Sequence, residues 1–240
     1  ARNGGARMTV SDKAAHYVAA YTAVARRVGD LVIEHGSDSW VPSCPEWRVH
    51  DVLAHLVGLC DDWVHARLAG YASRRWTADQ VSRLAHLSDV ELLDRWTSRL
   101  QEFGRLEEDP AMGAPARWAF GDAVIHEADV RGALDAGRVP HEAVLLGLRG
   151  SLARWGEALG QARLGDLVVR AHDAGEWRLG SAGGPTATTV DVPVYELFRA
   201  LAGRRSAGQV RSWAWSTDPE PYLAAGLPYP FRYATAPLSD

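Results

Sequence analysis

The chain has 240 residues, 47% of them hydrophobic and 23% charged, an ordinary globular composition long enough to bury a real core. Its 26 basic and 30 acidic residues leave a net charge of −4, and the basic residues are scattered, so the clustered positive charge of a nucleic-acid binder is missing. No apolar run reaches bilayer length, the span 1–10 lacks the apolar stretch of a secretory signal, and Cys44 and Cys60 are too few for a disulfide framework, so we expect a cytoplasmic protein off the membrane with reduced thiols.

Taken in chain order, the first two-thirds read as helices. Ser11 is placed to cap a helix over 11–35, where Tyr17, Val18, Tyr21, Val24, Val28, Leu31 and Val32 recur at helical spacing before Gly36. The span 37–46, with Pro42 and Pro45, reads as a loop. A second helix is expected over 47–68, with Val49, Val52, Leu53, Leu56, Val57, Cys60, Trp63 and Val64 on one face. A short helix begins at Thr77. Ser88 and Glu91 form an S-x-x-E capping box that opens a helix to about Leu106. A Gly/Pro-rich loop over 109–115 leads to a helix over 116–136, stopped by Gly137 and Pro140. Four substantial helices joined by loops predict an up-and-down bundle.

Beyond residue 140 the pattern changes. A helix over 141–163 is followed by a strand pair, 167–171 and 177–179, turning at Asp173-Ala174-Gly175, and by a short strand at 188–191. The span 192–203 reads as an amphipathic helix, 210–215 alternates like a strand, and the tail from Pro219 reads as a surface wrap. The fold class is therefore α+β: a helical bundle over 10–140 and a small α+β domain over 141–240.

The chain contains no Gly-rich phosphate loop, no G-x-S-x-G elbow and no C-x-x-C pair, which removes support for dinucleotide, P-loop and serine-hydrolase chemistries. Histidines on helices remain. Asp122 and His126 lie one turn apart on one helix face, where a carboxylate and an imidazole can share a cation. The same spacing also makes an ordinary surface pair. His55 sits at the edge of the apolar face of its helix, a place where a lone histidine is more often a hydrogen-bonded structural residue than a ligand. Together the three would supply three protein ligands and one open position, as in catalytic metal sites. The remaining histidines, His16, His35, His50, His65, His86, His141 and His172, read as solvated. Asp51 and Asp129 are candidates to orient an imidazole, but the favoured reading of each is a solvated helix carboxylate. Trp47, Trp63, Trp96, Trp118 and Trp155 read as core filling, and so do Trp213 and Trp215. Arg204 and Arg205 close the amphipathic helix, either complementing its C-terminus or clamping an anionic substrate.

The segment Pro42-Ser-Cys-Pro-Glu-Trp-Arg-Val-His-Asp-Val-Leu-Ala-His55-Leu-Val resembles the second-helix signature of the DinB-like, mycothiol-dependent maleylpyruvate isomerase family. Gly121-Asp122-Ala-Val-Ile-His126-Glu-Ala-Asp129-Val-Arg131 looks like the later helix of that family, and Tyr195-Glu-Leu-Phe-Arg-Ala-Leu-Ala-Gly203-Arg204-Arg205-Ser resembles a helix of its C-terminal domain. The resemblance implies a DinB-like four-helix bundle carrying a divalent metal, usually zinc, on His55, Asp122 and His126. This sequence has Asp where the best-known relative has Glu. It also implies mycothiol, the actinobacterial thiol, as cosubstrate, an electrophilic small molecule as substrate, and an arginine from the C-terminal domain, for which Arg204 is the candidate. The reaction would be cis–trans isomerisation or S-transfer. A hydrolase using metal-bound water and a non-catalytic ligand-binding bundle are the alternatives, and the chain is expected to be a monomer or homodimer.

Overall fold

The computed structural model describes residues 10–106, 115–180, 187–228 and 230–239. The chain forms two compact units, Ala1–Ala136 and Gly137–Asp240. The first unit contains α1 (Val10–His35), β1 (Trp40–Val41), β2 (Cys44–Arg48), α2 (Val49–Val64), α3 (Arg74–Leu84), α4 (Asp89–Leu106) and α5 (Pro115–Leu134). Helix α1 packs on α4 and α5, and α2 packs on α3, α4 and α5, so α1, α2, α4 and α5 make a four-helix bundle with α3 laid against α2.

Helix α2 is the spine of this unit. Every residue from Val52 to Trp63 is buried, as expected of a helix with neighbours on all sides. Two acidic residues therefore enter the interior with it, and both are matched by arginines. Arg95 and Arg99 of α4 donate to Asp61 at 2.5 to 2.8 Å. Burial pushes the Asp61 carboxyl up, but these hydrogen bonds and charges outweigh it and hold the group below its ordinary range. Across the bundle, Glu127 of α5 is fully buried and accepts both arms of Arg27 from α1, at 2.8 and 2.7 Å, and Arg131 at 2.9 Å.

The first unit departs locally from the helix and loop pattern expected of its sequence. Part of the expected loop at 37–46 is an antiparallel hairpin, with Trp40 opposite Arg48 and the Arg48 guanidinium over the Trp40 ring. Strands of two and five residues are too short to show a period, and Pro42 and Pro45 mask them. Helix α2 consequently starts at Val49, and Asp51 accepts from the Arg48 backbone N–H at 2.8 Å as part of its N-terminal cap, so it does not orient His55. Helix α3 starts at Arg74, before Thr77, because the Ser73 hydroxyl caps it by accepting from Trp76 N–H. The Ser88–Glu91 capping box forms as read, while most of the expected loop at 109–115 lies outside the described residues.

The second unit contains α6 (His141–Gln161), β3 (Leu167–Ala171), β4 (Gly175–Leu179), β5 (Thr188–Asp191), α7 (Val194–Leu201), α8 (Ala207–Arg211), β6 (Ala214–Trp215) and α9 (Glu220–Ala225). Its sheet runs β4-β3-β5-β6, with β3 antiparallel to β4 and parallel to β5. Helix α6 packs on α7, β4 and α9. The expected strand over 210–215 is replaced by α8 and a two-residue β6. Ser206 and Gln209 form a second capping box, a local signal that outweighs the alternation of the following tryptophans. Trp213 and Trp215 stack and cover Ala200, Val210 and Leu223, and the tail forms α9. Among the described residues, no helix is long and apolar enough to cross a membrane.

Candidate metal centre

Of the nine histidines, His55 and His126 are the buried pair, at 3% and 7% exposure. The others are exposed or half-buried; His50 pairs with Asp89, and His65 meets the Asp61 carbonyl of its own helix. An imidazole costs free energy to bury unless its nitrogens find partners, so a buried histidine pair in an apolar bundle demands an account.

Packing of α2 on α5 supplies one. His55 projects from α2 toward the face of α5 that carries Asp122 and His126. His55 Nε2 lies 2.9 Å from Asp122 Oδ2. The two imidazole rings stand 4.9 Å apart and nearly perpendicular. One ligand atom from each of His55, Asp122 and His126 falls within 4.8 Å of the others. The Asp122 side chain is 32% exposed, so the cluster is open on the carboxylate side and closed on the imidazole side. The shorter aspartate reaches His55 without difficulty.

Three further groups frame the pair. The Trp47 ring lies 5.3 Å from the ring of His55 and 5.9 Å from that of His126, so it lies beside both imidazoles and is half-buried there, where the sequence reading made it core filling on a helix. Gln80 of α3 places Oε1 2.8 Å from His55 Nδ1 and donates from Nε2 to Asp62 Oδ2 at 2.9 Å. Arg67 and Arg83 donate to the other oxygen of Asp62 at 2.8 and 2.7 Å. Asp129 is 1% exposed, which overturns its reading as a solvated carboxylate. It accepts from Ser43 at 2.7 Å, and Cys44 Sγ lies 3.7 Å from it. His126 Nδ1 lies 3.0 Å from Asp129 Oδ2 but out of line for a directed hydrogen bond. Cys44, His126 and Asp129 thus make a second ligand-like group that shares His126 with the first.

Burial lowers the pKa of His126, against the opposing pull of Asp129 and Asp122, so its ring is neutral at physiological pH and keeps a lone pair for a cation. Two imidazoles and a carboxylate converging from two rigid helices fit a divalent ion of borderline softness. Cys60 is not part of this chemistry. Burial pushes its thiol up to about 12, which keeps it protonated.

No protein-family model matches the chain, and no curated protein does. Solved structures do. The crystal structure of the mycothiol-dependent maleylpyruvate isomerase aligns with a TM-score of 0.55 at 16% identity, and a histidine-to-alanine mutant of it with 0.57 at 14%. Each alignment covers 88% of this chain and 97% of the other. The chain has the fold of the mycothiol-dependent maleylpyruvate isomerase.

Within this isomerase fold, the remaining expected site residue, Arg204, lies just past α7 in the second unit, half-buried, with Nη1 donating to the Ala202 carbonyl at 2.7 Å. Its neighbour Arg205 is fully buried and held by both oxygens of Glu196, so the two arginines do not act as a paired clamp. Trp118 is also corrected: it is partly exposed beside Arg117 rather than in the core. Sequence reasoning missed Gln80 and Asp62 as neighbours of the site. Gln80 lies between Trp76 and Leu84, one turn away on either side, on the buried face of α3, but nothing local to it says which distant polar groups it will meet.

Proposed function

We propose that this chain is a divalent-metal-dependent enzyme that delivers a low-molecular-weight thiol, mycothiol, to an electrophilic small molecule, as a cis–trans isomerase or an S-transferase. The convergence of His55, Asp122 and His126 in the bundle of an isomerase fold carries this reading. These three residues would hold the ion, with zinc the first choice. A divalent ion there lowers the pKa of a thiol entering its open position, so that the sulfur is nucleophilic at neutral pH.

The protein's own part is positional. Trp47, lying beside both imidazoles, limits water there, and the exposed edge of Asp122 leaves room for the thiol and its partner. The nucleophile comes from outside the chain, because Cys60 stays protonated and Cys44 lies against Asp129. Addition of the sulfur to a carbon–carbon double bond, rotation, and loss of the sulfur give the geometric isomer. Retention of the sulfur with uptake of a proton gives a thioether. Arg204 is our candidate for binding a substrate carboxylate, since Arg205 is committed to Glu196. Neither cysteine is in a disulfide, which fits the reducing cytoplasm that a thiol cosubstrate needs.

The test is elemental analysis of the purified protein together with His55→Ala, followed by turnover of an electrophile with and without added thiol. About one zinc per chain, lost in the variant, with thiol-dependent turnover is the expected result. A protein that binds no divalent ion ends the proposal, and turnover without thiol would make water the nucleophile.

A further inference from the structure

We propose that Gln80 is the positioning residue of the centre: it fixes the tautomer of His55 and so aims the Nε2 lone pair at Asp122 and His126. This rests on the metal-centre reading above. The chain of contacts begins one step away, at Asp62. That carboxylate is 2% exposed and takes Arg67 and Arg83 on Oδ1, so it acts purely as an acceptor. Its other oxygen faces the Gln80 amide at 2.9 Å. Only the NH2 end of the amide can satisfy it, since the reverse orientation would set two acceptors face to face. The carbonyl end of Gln80 is therefore the end that meets His55 Nδ1 at 2.8 Å.

A carbonyl oxygen only accepts, so His55 Nδ1 must carry a proton. In the neutral ring the lone pair then lies on Nε2, which faces Asp122 Oδ2 at 2.9 Å. Two acceptors at that distance call for a proton or a cation between them, and a divalent ion held by both would supply the cation. The order of control runs from Arg67 and Arg83 to Asp62, to Gln80, to His55. Without it, His55 could place its proton on Nε2, donate to Asp122, and lose its lone pair for the ion.

Helix packing is built around this contact. Gly58 lies one turn beyond His55 on α2, and a Cβ there would fall 2.7 Å from Gln80 Cβ and 3.0 Å from its Cγ. Glycine at 58 is what lets α3 come close enough for Gln80, fully buried, to reach the imidazole. Helix α3 is held in that place by the Ser73 cap and by Trp76 Nε1, which donates to the Arg67 carbonyl at 2.9 Å.

The experiment uses the full chain with 15N-labelled histidine, reading the protonation of the His55 ring nitrogens by NMR in metal-free protein, and zinc affinity by competition with a chromophoric chelator. Wild type should carry the His55 proton on Nδ1. Gln80→Leu should move it to Nε2 and weaken zinc binding about 10- to 100-fold. The paired exchange Gln80→Glu with Asp62→Asn keeps the total charge, lets the new amide donate to the new carboxylate, and leaves that carboxylate to accept from Nδ1. It should restore both the Nδ1 proton and most of the zinc affinity, which a merely structural role for Gln80 would not do. An unprotonated Nδ1 in wild type, wild-type zinc affinity in Gln80→Leu, or failure of the well-folded double variant to restore the tautomer overturns the proposal. A wild type that binds no zinc but shows the Nδ1 proton, lost in Gln80→Leu, would sink the metal reading while supporting the positioning role.

Discussion

His55 Nε2 and Asp122 Oδ2 face each other at 2.9 Å across the packing of α2 on α5, joining residues that are 67 positions apart in the chain. The side chains differ in burial, the imidazole enclosed and the carboxylate one-third exposed. That asymmetry separates the effect of a substitution on the metal from its effect on the fold.

Asp122→Ala should lower zinc affinity more than the about 10- to 100-fold expected when a supporting partner is lost, while the metal-free protein loses about 1 kcal/mol because the enclosed His55 Nε2 gives up its partner. Chelator competition and urea denaturation of the metal-free protein measure the two. Equal zinc affinity in wild type and variant would remove Asp122 from the ligand set.

Arg27→Ala should do the reverse. It leaves the buried Glu127 carboxylate with Arg131 alone, at a cost of about 3 kcal/mol in the urea unfolding of the first unit. Zinc stoichiometry should stay unchanged, because Glu127 is outside the ligand set.

Asp61 makes the bundle sensitive to acid. Its folded-state pKa lies below the ordinary 3.8, so its contribution to stability is fully present above that value and is lost as pH falls through the folded value. Chemical denaturation between pH 6 and pH 2 should show a steeper loss for wild type than for Asp61→Asn, which starts less stable at neutral pH. Parallel curves would mean that Asp61 titrates alike in both states.

The two thiols should differ in reactivity. With iodoacetamide at about pH 8, Cys44, half-buried in the hairpin, should be alkylated while Cys60 resists until the protein is unfolded, because burial has pushed its thiol to about 12. Peptide mass spectrometry reads both sites, and early modification of Cys60 would contradict its full burial.

The sequence by itself determined the elements whose signals are local. Apolar spacing along α1, α2 and α5, the Ser88–Glu91 box and the glycine stops are properties of consecutive residues, and so is the one-turn separation of Asp122 and His126. Where two local signals compete, the alternation at 210–215 masks the stronger Ser206–Gln209 cap of α8. Tertiary structure alone decided which polar groups are inside. Asp129 and Asp51 look alike in sequence, yet one is buried beside His126 and the other caps α2. Gln80 has no mark of its own until Gly58 lets α3 close on α2. The reason is physical: a helix pattern records which face is apolar, whereas the satisfaction of a buried polar atom depends on partners brought from distant parts of the chain.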